Sequence, residues 1–333
     1  LTGAALLLGG FARTAEAQLL VESGWAHEIV ADRARVRSAA PRAAATGDDT
    51  ELARDPAAVA ARLPSLAWRT AHDSLAAGHP VLVQVPRRGY VPSLACARDR
   101  TPARCPACSG PLGAAAPDVV ATCRWCARPA VDWACPSCGA RRMRAVVVGA
   151  ARTAEELGRA FPGVAVRTSG GTSVLDAVDS RPALVIATPG AEPVAAQGYG
   201  AALLLDGWAL LSRPDLRAAE ETLRRWMNAA ALVRPDGRVV IGADASIAAV
   251  QALVRWDSPG AARRELGERA ELRFPPAARL AAVTGRPDAV HDLLAAAQLP
   301  AQTEMLGTTP IGILGGAPAE RVLLRGPRTA GSE

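Results

Sequence analysis

The cysteines are the residues whose types and spacing most clearly predict chemistry in this sequence. All seven lie between Cys96 and Cys138, and six of them form three Cys-x-x-Cys pairs. The pairs are Cys105/Cys108, Cys123/Cys126 and Cys135/Cys138. A pair at this spacing brings two thiolates to one metal ion from a single turn, and two pairs complete a tetrahedral zinc site. The sequence therefore predicts structural zinc binding.

Seven cysteines are one ligand short of two complete four-cysteine sites. The missing ligand would stand three residues after Cys96, where the chain has Asp99. A carboxylate also binds zinc, so Asp99 can serve as the eighth ligand. In a nested pairing the two middle ligand pairs form an inner site, and the first and last pairs form an outer site. The inner site is Cys105, Cys108, Cys123 and Cys126, and the outer site is Cys96, Asp99, Cys135 and Cys138. Sequential and interleaved pairings also satisfy the spacing. Two zinc ions are expected, or one if Asp99 does not ligate.

Disulfide bonding of these cysteines would need an oxidising compartment, and nothing in the sequence indicates export. The apolar opening, Leu1 to Leu8, lacks a basic leader and is too short to span a bilayer. We therefore expect a cytoplasmic, nucleoid-associated protein with no membrane partner. Because the chain starts at Leu1 without a methionine, we expect it to be an N-terminally truncated fragment.

All 38 basic residues are arginines, against 32 acidic residues. Without a lysine there can be no Walker A phosphate site in this chain. Arginine usage of this kind is typical of a GC-rich genome. The segment 96–144 carries eight arginines and three acids, and two zinc ions with seven thiolates would leave a small positive surplus.

Arginines beside the cysteines are candidate contacts for nucleic-acid phosphates. The predicted DNA-binding residues are Arg87, Arg88, Tyr90, Arg141, Arg142 and Arg144. Alternatively, the arginines of the cysteine segment neutralise the thiolates. Trp125 and Trp133 either stack on unpaired bases or cover the metal site.

Apolar runs that alternate with helical patterns predict an α/β fold with a doubly wound parallel sheet. The expected strands are 81–85, 145–148, 164–167, 183–187, 201–205 and 239–241. The expected helices are 52–77, one opened by a Thr153/Glu156 capping box and ending at Ala160, 215–227, 247–256 and 261–270. The strands 164–167, 183–187 and 201–205 are apolar enough to be buried on both faces.

Ligands of parallel sheets bind at the carboxyl ends of the strands, which makes 188–192 and 206–208 candidate ligand segments. Asp206 stands at such a strand end, but no partner for it is evident and we expect no catalytic role. Beyond Phe274-Pro275-Pro276, the strand 279–283, helix 288–297 and strand 321–325 predict a small α+β module.

Four stretches of this chain resemble the family of the primosomal replication-restart protein PriA, also called primosomal protein N-prime. They are 80–92 (PVLVQVPRRGYVP), the cysteine segment, 214–222 (PDLRAAEET) and 265–276 (ELGERAELRFPP). The resemblance runs through most of positions 60 to 327. It implies a RecA-like helicase second lobe over 61–95 and 145–258, with a double zinc ribbon inserted at 96–144. It also implies a C-terminal α+β domain over 259–333, with 1–60 as the remnant of a first helicase lobe and a linker.

Each Cys-x-x-Cys pair with its turn is called a knuckle. The family pairs its knuckles in the nested way and has a cysteine at the position of Asp99. In the family the ribbon engages forked DNA. The family also implies primosome partners, including the single-stranded-DNA-binding protein and the loader of the replicative helicase.

The ATP-hydrolysis motifs of the family are missing from this chain. Its Gly-Thr-Gln stretch is replaced by Ala187-Thr188-Pro189, and its arginine-finger residues align with Leu232 and Pro235. The Ser-Ala-Thr motif that ends the first lobe is absent from residues 6–14. Loss of the arginine finger alone typically lowers the rate of nucleotide hydrolysis by a factor of about 10³ to 10⁵. ATP is a family cofactor, but no site for it is recognisable here, which is typical of a branch with degenerate motifs from GC-rich bacteria.

The expected function is therefore replication restart without ATP-driven unwinding: a zinc protein that binds forked or single-stranded DNA and scaffolds the primosome. One alternative is an active ATP-dependent 3′-5′ helicase whose nucleotide site lies in a missing N-terminal region. A second alternative is a structural zinc protein that binds only other proteins.

Overall fold

The computed structural model describes residues 6–56, 61–86, 93–98, 101–114, 119–124, 126–146, 150–211, 213, 215–314 and 317–328. The chain divides into two compact units. The first unit is Leu1–Ala12 with Val30–Ser258, and the second is Arg13–Ile29 with Pro259–Glu333. No helix among the described residues is both long enough and apolar enough to cross a membrane.

The described helices and strands alternate through most of the chain. The helices are α1 (Ala15–Glu22), α2 (Arg33–Ala39), α3 (Asp49–Arg54), α4 (Ser65–Ala76), α5 (Ala150–Ala160), α6 (Gly207–Leu211), α7 (Ala218–Ala230), α8 (Ala248–Arg255), α9 (Ser258–Glu271) and α10 (Pro287–Ala296). The strands are β1 (Arg42–Gly47), β2 (Val81–Gln84), β3 (Ser93–Cys96), β4 (Leu112–Gly113), β5 (Thr122–Cys123), β6 (Met143–Val146), β7 (Ala165–Ser169), β8 (Ala177–Val178), β9 (Ala183–Ala187), β10 (Val194–Ala195), β11 (Tyr199–Leu204), β12 (Val233–Asp244), β13 (Ala278–Gly285), β14 (Glu304–Leu314) and β15 (Ala317–Pro327).

The first unit is built on a six-stranded sheet with the order β1-β12-β11-β2-β9-β7, in which every pair is parallel. Side chains alternate between its faces. On one face, Val83 and Ile186 pack with Ala71 of α4 and Leu157 of α5. The opposite face is also buried, because α7 contacts β11 and β12 there. The α/β class and the parallel sheet predicted from the apolar runs are confirmed.

The burial on both faces that was expected of three strands is correct for β9 and β11 but wrong for β7. All five residues of β9 are buried, whereas β7 is buried only at Ser169. The difference follows from position, since β9 lies inside the sheet and β7 at its edge. Strand β1 at the other edge was not predicted, because Ala43, Ala44 and Ala45 give little β signal.

Three local predictions are wrong. The helix expected over 52–77 is interrupted, because Pro64 is extended and Asp55 Oδ2 accepts the Ser65 N–H outside the helix. Of the strand expected over 145–148, residues 145 and 146 lie in β6, which pairs antiparallel with β3 and not with the parallel sheet, and residues 147 and 148 lie outside the described residues. An inserted hairpin leaves and returns at one point, so its stem must be antiparallel.

The third error concerns the capping box. Helix α5 begins at Ala150, so Thr153 and Glu156 lie inside the helix and not at its start. Both side chains instead accept hydrogen bonds from Arg62, which is distant in sequence. The contact with Arg62, a tertiary interaction, therefore replaces the local capping box that the sequence predicted.

The second unit contains the antiparallel sheet β13-β15-β14, with α10 against β13 and β15. Val290 of α10 and Val322 of β15 are buried. The predicted strands at 279–283 and 321–325 lie within β13 and β15. Strand β14 was not predicted, because Gly307, Pro310 and Gly312 are unfavourable in strands. Its edge position tolerates the proline.

Candidate metal centres and an arginine-rich stem

Four cysteines meet at the inner site. The Sγ atoms of Cys105, Cys108, Cys123 and Cys126 all lie within 4.8 Å of one another. Cys108 and Cys123 are 3.3 Å apart, and Cys105 and Cys126 are 3.8 Å apart. Four thiolates at the Zn–S distance of about 2.3 Å lie about 3.8 Å from each other at the corners of a tetrahedron. The inner cluster therefore fits a tetrahedral metal ion such as zinc.

Three cysteines meet at the outer site. The Sγ atoms of Cys96, Cys135 and Cys138 lie within 4.8 Å of one another, with 3.5 Å between Cys96 and Cys138. Asp99, the predicted fourth ligand, lies outside the described residues. The grouping of the sulfurs is nested, as the family resemblance implies. Both clusters can bind metal ions.

The same backbone turn positions each knuckle. The N–H of Cys105 donates to the Gly110 carbonyl, that of Cys123 to Arg128, and that of Cys135 to Ala140, always five residues ahead. The residue after each second cysteine is left-handed: Ser109 at φ 57°, Ala127 at φ 57° and Gly139 at φ 70°. Each knuckle is thus shaped by its own few residues.

Cys96 begins a turn with the same hydrogen bond. Its N–H donates to the carbonyl of Thr101, which is again five residues ahead. Cys96 therefore occupies the place of a first knuckle cysteine, although no cysteine follows it three residues later.

The pKa values of two thiols in the inner cluster move in opposite directions. A hydrogen bond from the Ala107 backbone is the main factor that lowers the pKa of Cys105 to about 7. The Gly110 backbone acts to lower the pKa of Cys108, but desolvation and the neighbouring sulfurs raise it to about 12. Four crowded sulfurs cannot all ionise without a cation, so this donor set suits a metal that binds thiolates.

Trp133 belongs to the small core of the cysteine segment. It is buried beside Cys105, Leu112 and Cys135, and its Nε1 donates to the Arg104 carbonyl at 3.1 Å. Of the two roles considered for Trp133, covering the metal site is therefore the one the structure supports. Trp125 lies outside the described residues.

Three predicted DNA-binding arginines lie together on the stem. Arg141 and Arg142 precede β6 and Arg144 lies within it, and all three are exposed. Met143 packs toward the cysteine core, so Arg142 and Arg144 lie on the opposite side of the strand. Among the described carboxylates, none forms an ion pair with these three guanidinium groups. Arg87, Arg88 and Tyr90 lie outside the described residues.

A half-buried charge cluster at the carboxyl edge of the parallel sheet was missed. Arg62 Nη1 donates to Glu156 Oε2 at 2.6 Å, and its Nε lies 3.7 Å from Asp206 Oδ2. Burial raises the pKa of Asp206, although the charge of Arg62 acts to lower it. The expectation that Asp206 lacks a partner is therefore wrong. The sequence carried no signal, because Arg62 and Asp206 are far apart along the chain.

The other candidate ligand segment also follows a strand of this edge. Thr188 is buried immediately after β9. Glu192 Oε1 accepts from Nε2 of the buried Gln84 at 2.6 Å, and its Oε2 accepts the Gly190 N–H at 2.8 Å. These hydrogen bonds stabilise the loop over 188–192, so this segment has a structural role.

Residues 270–333 match the sequence pattern of the primosomal protein N C-terminal domain. The whole chain is similar to proteins named probable replication restart protein PriA. Identity is 55% over 348 residues with the protein from Mycobacterium bovis, covering 99% of this chain and 53% of that relative. Identity is 56% over 343 residues with the protein from Mycobacterium leprae, covering 98% and 52%. The chain thus spans about half the length of these curated relatives.

Proposed function

Because the chain belongs to the PriA family of replication restart proteins, we propose that it binds forked or single-stranded DNA and helps assemble the primosome at stalled forks. The parallel sheet is proposed to be a helicase second lobe of RecA type, and the cysteine segment to be its double zinc ribbon. Primosome proteins, including the single-stranded-DNA-binding protein and the helicase loader, are the proposed protein partners.

The observation that carries the DNA-binding proposal is the group of three exposed arginines on the ribbon stem. An arginine paired with a carboxylate has part of its charge neutralised within the protein. Arg141, Arg142 and Arg144 have no such ion pair among the described residues. Their exposed guanidinium groups can bind phosphate oxygens, often in the bidentate manner that arginine favours.

The zinc proposal rests on the two cysteine clusters. The inner zinc would be held by Cys105, Cys108, Cys123 and Cys126, and the outer zinc by Cys96, Cys135, Cys138 and Asp99. Bound zinc neutralises the thiolates and supplies folding free energy to a segment that has only a small apolar core. The metal role proposed is structural.

We propose that this chain performs no ATP-driven unwinding. It contains no lysine for a Walker A site. At the positions of the family's finger arginines stand Leu232, whose carbonyl binds the Tyr199 N–H, and Pro235. Fork-stimulated ATP hydrolysis by this chain should stay at background, and turnover clearly above background would overturn this part of the proposal.

The salt dependence of fork binding tests the DNA-binding role. Each phosphate contact contributes roughly 0.7 to 0.9 to the slope of log affinity against log salt. Replacing Arg141, Arg142 and Arg144 with alanine should weaken binding and reduce the slope by about two to three units. Fluorescence anisotropy with a labelled fork at several salt concentrations measures both quantities.

A matched control removes the same charge elsewhere. Arg159, Arg181 and Arg255 are exposed in the same unit but distant from the cysteine segment in sequence. Their replacement with alanine should leave the slope close to that of the original chain. If both triple variants lose equal affinity, or if no fork is bound at all, the stem is not the DNA-binding surface.

A further inference from the structure

Exposed arginines gather where the chain enters the parallel sheet. Residues 33–42, which form α2 and lead into β1, contain four arginines and no acidic residue. In the neighbouring strand β12, Arg238 is the registered partner of Arg42. Because the six strands all run in one direction, these residues lie at the amino edge of the sheet. We define the amino-edge surface as the exposed residues Arg35, Arg37, Arg42 and Arg238.

The charges of the amino-edge surface are not neutralised by the protein. Among the residues that the structure describes, no carboxylate forms an ion pair with any of these four side chains. The acids that adjoin α2 and the start of the β12 ladder have other partners. Asp257 lies 3.5 Å from Arg33, and Asp236 lies 2.9 Å from Arg234. Asp32 caps the first turn of α2. The surface therefore presents uncompensated positive charge.

Two of these arginines are direct neighbours in the sheet. Arg42 and Arg238 are in register, so their side chains lie on the same face of strands that are about 4.8 Å apart. Like charges directly opposite each other destabilise a strand pair. The arrangement thus carries a cost in folding free energy, which a bound anion between the two guanidinium groups would remove.

We propose that the amino-edge surface binds the phosphate backbone of a duplex arm of forked DNA. The inference rests on the DNA binding proposed above and adds a second contact surface to it. Arginine matches phosphate geometry through two parallel hydrogen bonds. An arginine without an ion pair loses no partner when it takes up a phosphate, so the full electrostatic gain goes to DNA binding.

The side chains around the arginines favour a duplex backbone over other anions. Residues 33–42 contain no aromatic side chain on which an unpaired base could stack. The residues between the arginines of this segment are no larger than valine, so they lack the large apolar anchors that hold peptides. A duplex backbone needs neither feature, because phosphate contacts alone can bind and position it.

The amino-edge surface and the ribbon stem belong to opposite edges of the parallel sheet. The cysteine segment follows the carboxyl end of β2, whereas α2 leads into the amino end of β1. A strand of six residues, such as β1, spans about 20 Å. That length corresponds to about six base pairs of duplex at roughly 3.4 Å each. The two surfaces therefore contact separate phosphates, and their contributions to fork binding should add.

Fluorescence anisotropy of the full chain tests the surface with three labelled DNAs: a fork, a blunt duplex and a single strand of equal length. Replacing Arg37, Arg42 and Arg238 with alanine should reduce the slope of log affinity against log salt by about two to three units for the fork and the duplex. For the single strand the slope should change by less than about one unit.

A matched control removes three exposed arginines from the other side of the sheet. Arg159 of α5, Arg167 of β7 and Arg181 before β9 are exposed, and β7 and β1 are the two outermost strands. Replacing these three with alanine should leave all three slopes close to those of the original chain. Equal loss of duplex affinity in both triple variants would show an effect of net charge alone and overturn the proposal.

A charge reversal separates DNA binding from folding. Arg238→Glu places a carboxylate opposite Arg42, so the melting temperature should equal or exceed that of the original chain. Duplex affinity should nevertheless fall, because one phosphate contact is replaced by repulsion. A lower melting temperature with unchanged duplex affinity would assign Arg238 a structural role and overturn the proposal.

The remaining outcomes distinguish this inference from the proposed function. If no chain binds any of the three DNAs, the proposed DNA-binding function itself is wrong. If DNA is bound but the amino-edge variant keeps every slope, that function stands and the present inference is wrong. Equal losses for duplex and single strand would overturn the duplex assignment. Polyglutamate that displaces the labelled duplex as well as unlabelled duplex does, at equal charge concentration, would also overturn it.

Discussion

Arg62 is the residue on which the buried charges at the carboxyl edge of the sheet depend. Its side chain is only 20% exposed and lies between Glu156 and Asp206, whose side chains are 34% and 9% exposed. The main effect of losing this half-buried cation is that the Asp206 carboxylate is left without a compensating charge.

Replacing Arg62 with methionine should lower the free energy of unfolding by about 2–3 kcal/mol, because the buried Asp206 carboxylate then lacks its cationic neighbour. Chemical denaturation measures the loss. Arg152→Met is the control, since Arg152 contacts Glu156 from an exposed position and its loss should cost less than about 0.5 kcal/mol. Adding Asp206→Asn to Arg62→Met should restore part of the stability. If it restores none, Asp206 is not the cause.

The pH dependence of stability should report the buried state of Asp206. Burial raises its folded pKa above the ordinary value of 3.8, so the unfolded chain releases this proton at lower pH. The contribution of Asp206 to stability therefore falls as pH rises from about 4 through its folded pKa. Asp206→Asn lacks this loss, so its stability relative to the original chain should increase as pH rises from about 4 through the folded pKa of Asp206. A difference independent of pH would contradict the assignment.

At the scale of the element, close packing of β1 against β12 requires a glycine. A Cβ atom at Gly47 would lie 2.7 Å from the Asp244 Cα atom and 2.9 Å from the Ala243 carbonyl oxygen. Both are backbone atoms, which cannot move aside as the end of a flexible side chain can. The strand pair would have to separate locally to admit any side chain.

Gly47→Ala should therefore destabilise the first unit by about 1–3 kcal/mol. Gly158→Ala in α5 is the matched control, because its Cβ would meet only Val166 Cγ2 at an ordinary 3.8 Å. The control should be neutral or stabilising by up to about 1 kcal/mol, since alanine favours a helix. Thermal unfolding of both variants measures this difference in stability. Equal melting temperatures would contradict the predicted clash at Gly47.

The cysteine segment is the element that we expect to depend on metal. Its described strands β4 and β5 are two residues each, and much of its core consists of the cysteines themselves. Chelation should therefore expose Trp133 and the backbone between 101 and 142, while the parallel sheet remains folded. Hydrogen exchange read by mass spectrometry measures both regions. Unchanged protection at 101–142 in metal-free protein would show that zinc does not stabilise this segment.

At the scale of the whole molecule, the second unit joins two segments that are distant in sequence. Arg269 of α9 is buried, donates to Glu265 at 2.7 Å and to the Pro275 carbonyl at 3.3 Å, and lies 3.7 Å from Glu16 of α1. It thereby connects residues 13–29 to the C-terminal part of the same unit. The domain matched by the family pattern starts at residue 270, one residue after this contact.

Arg269→Met should destabilise the second unit by about 1–3 kcal/mol and increase hydrogen exchange in α1 and α9, because buried hydrogen bonds to a charged group are lost. Zinc content and exchange in the parallel sheet should not change. Arg286→Ala, which removes an exposed pair with Asp288, is the control and should be nearly neutral. Equal protection of α1 in both variants would contradict the connecting role of Arg269.

The sequence by itself determined the features that depend on residues close together along the chain. A knuckle such as Cys105 to Cys108 sets both of its ligands within four residues, so its metal chemistry can be read directly. Strongly apolar runs such as 183–187 predicted buried strands for the same reason, and the quoted stretches identified the family. The tertiary structure decided which cysteine pairs meet and that β7 lies at an edge of the sheet. It also decided that Thr153 and Glu156 bind Arg62 from within α5, and that residues 13–29 join the second unit. Those outcomes depend on which distant segments pack together, and no local pattern in the sequence encodes that choice.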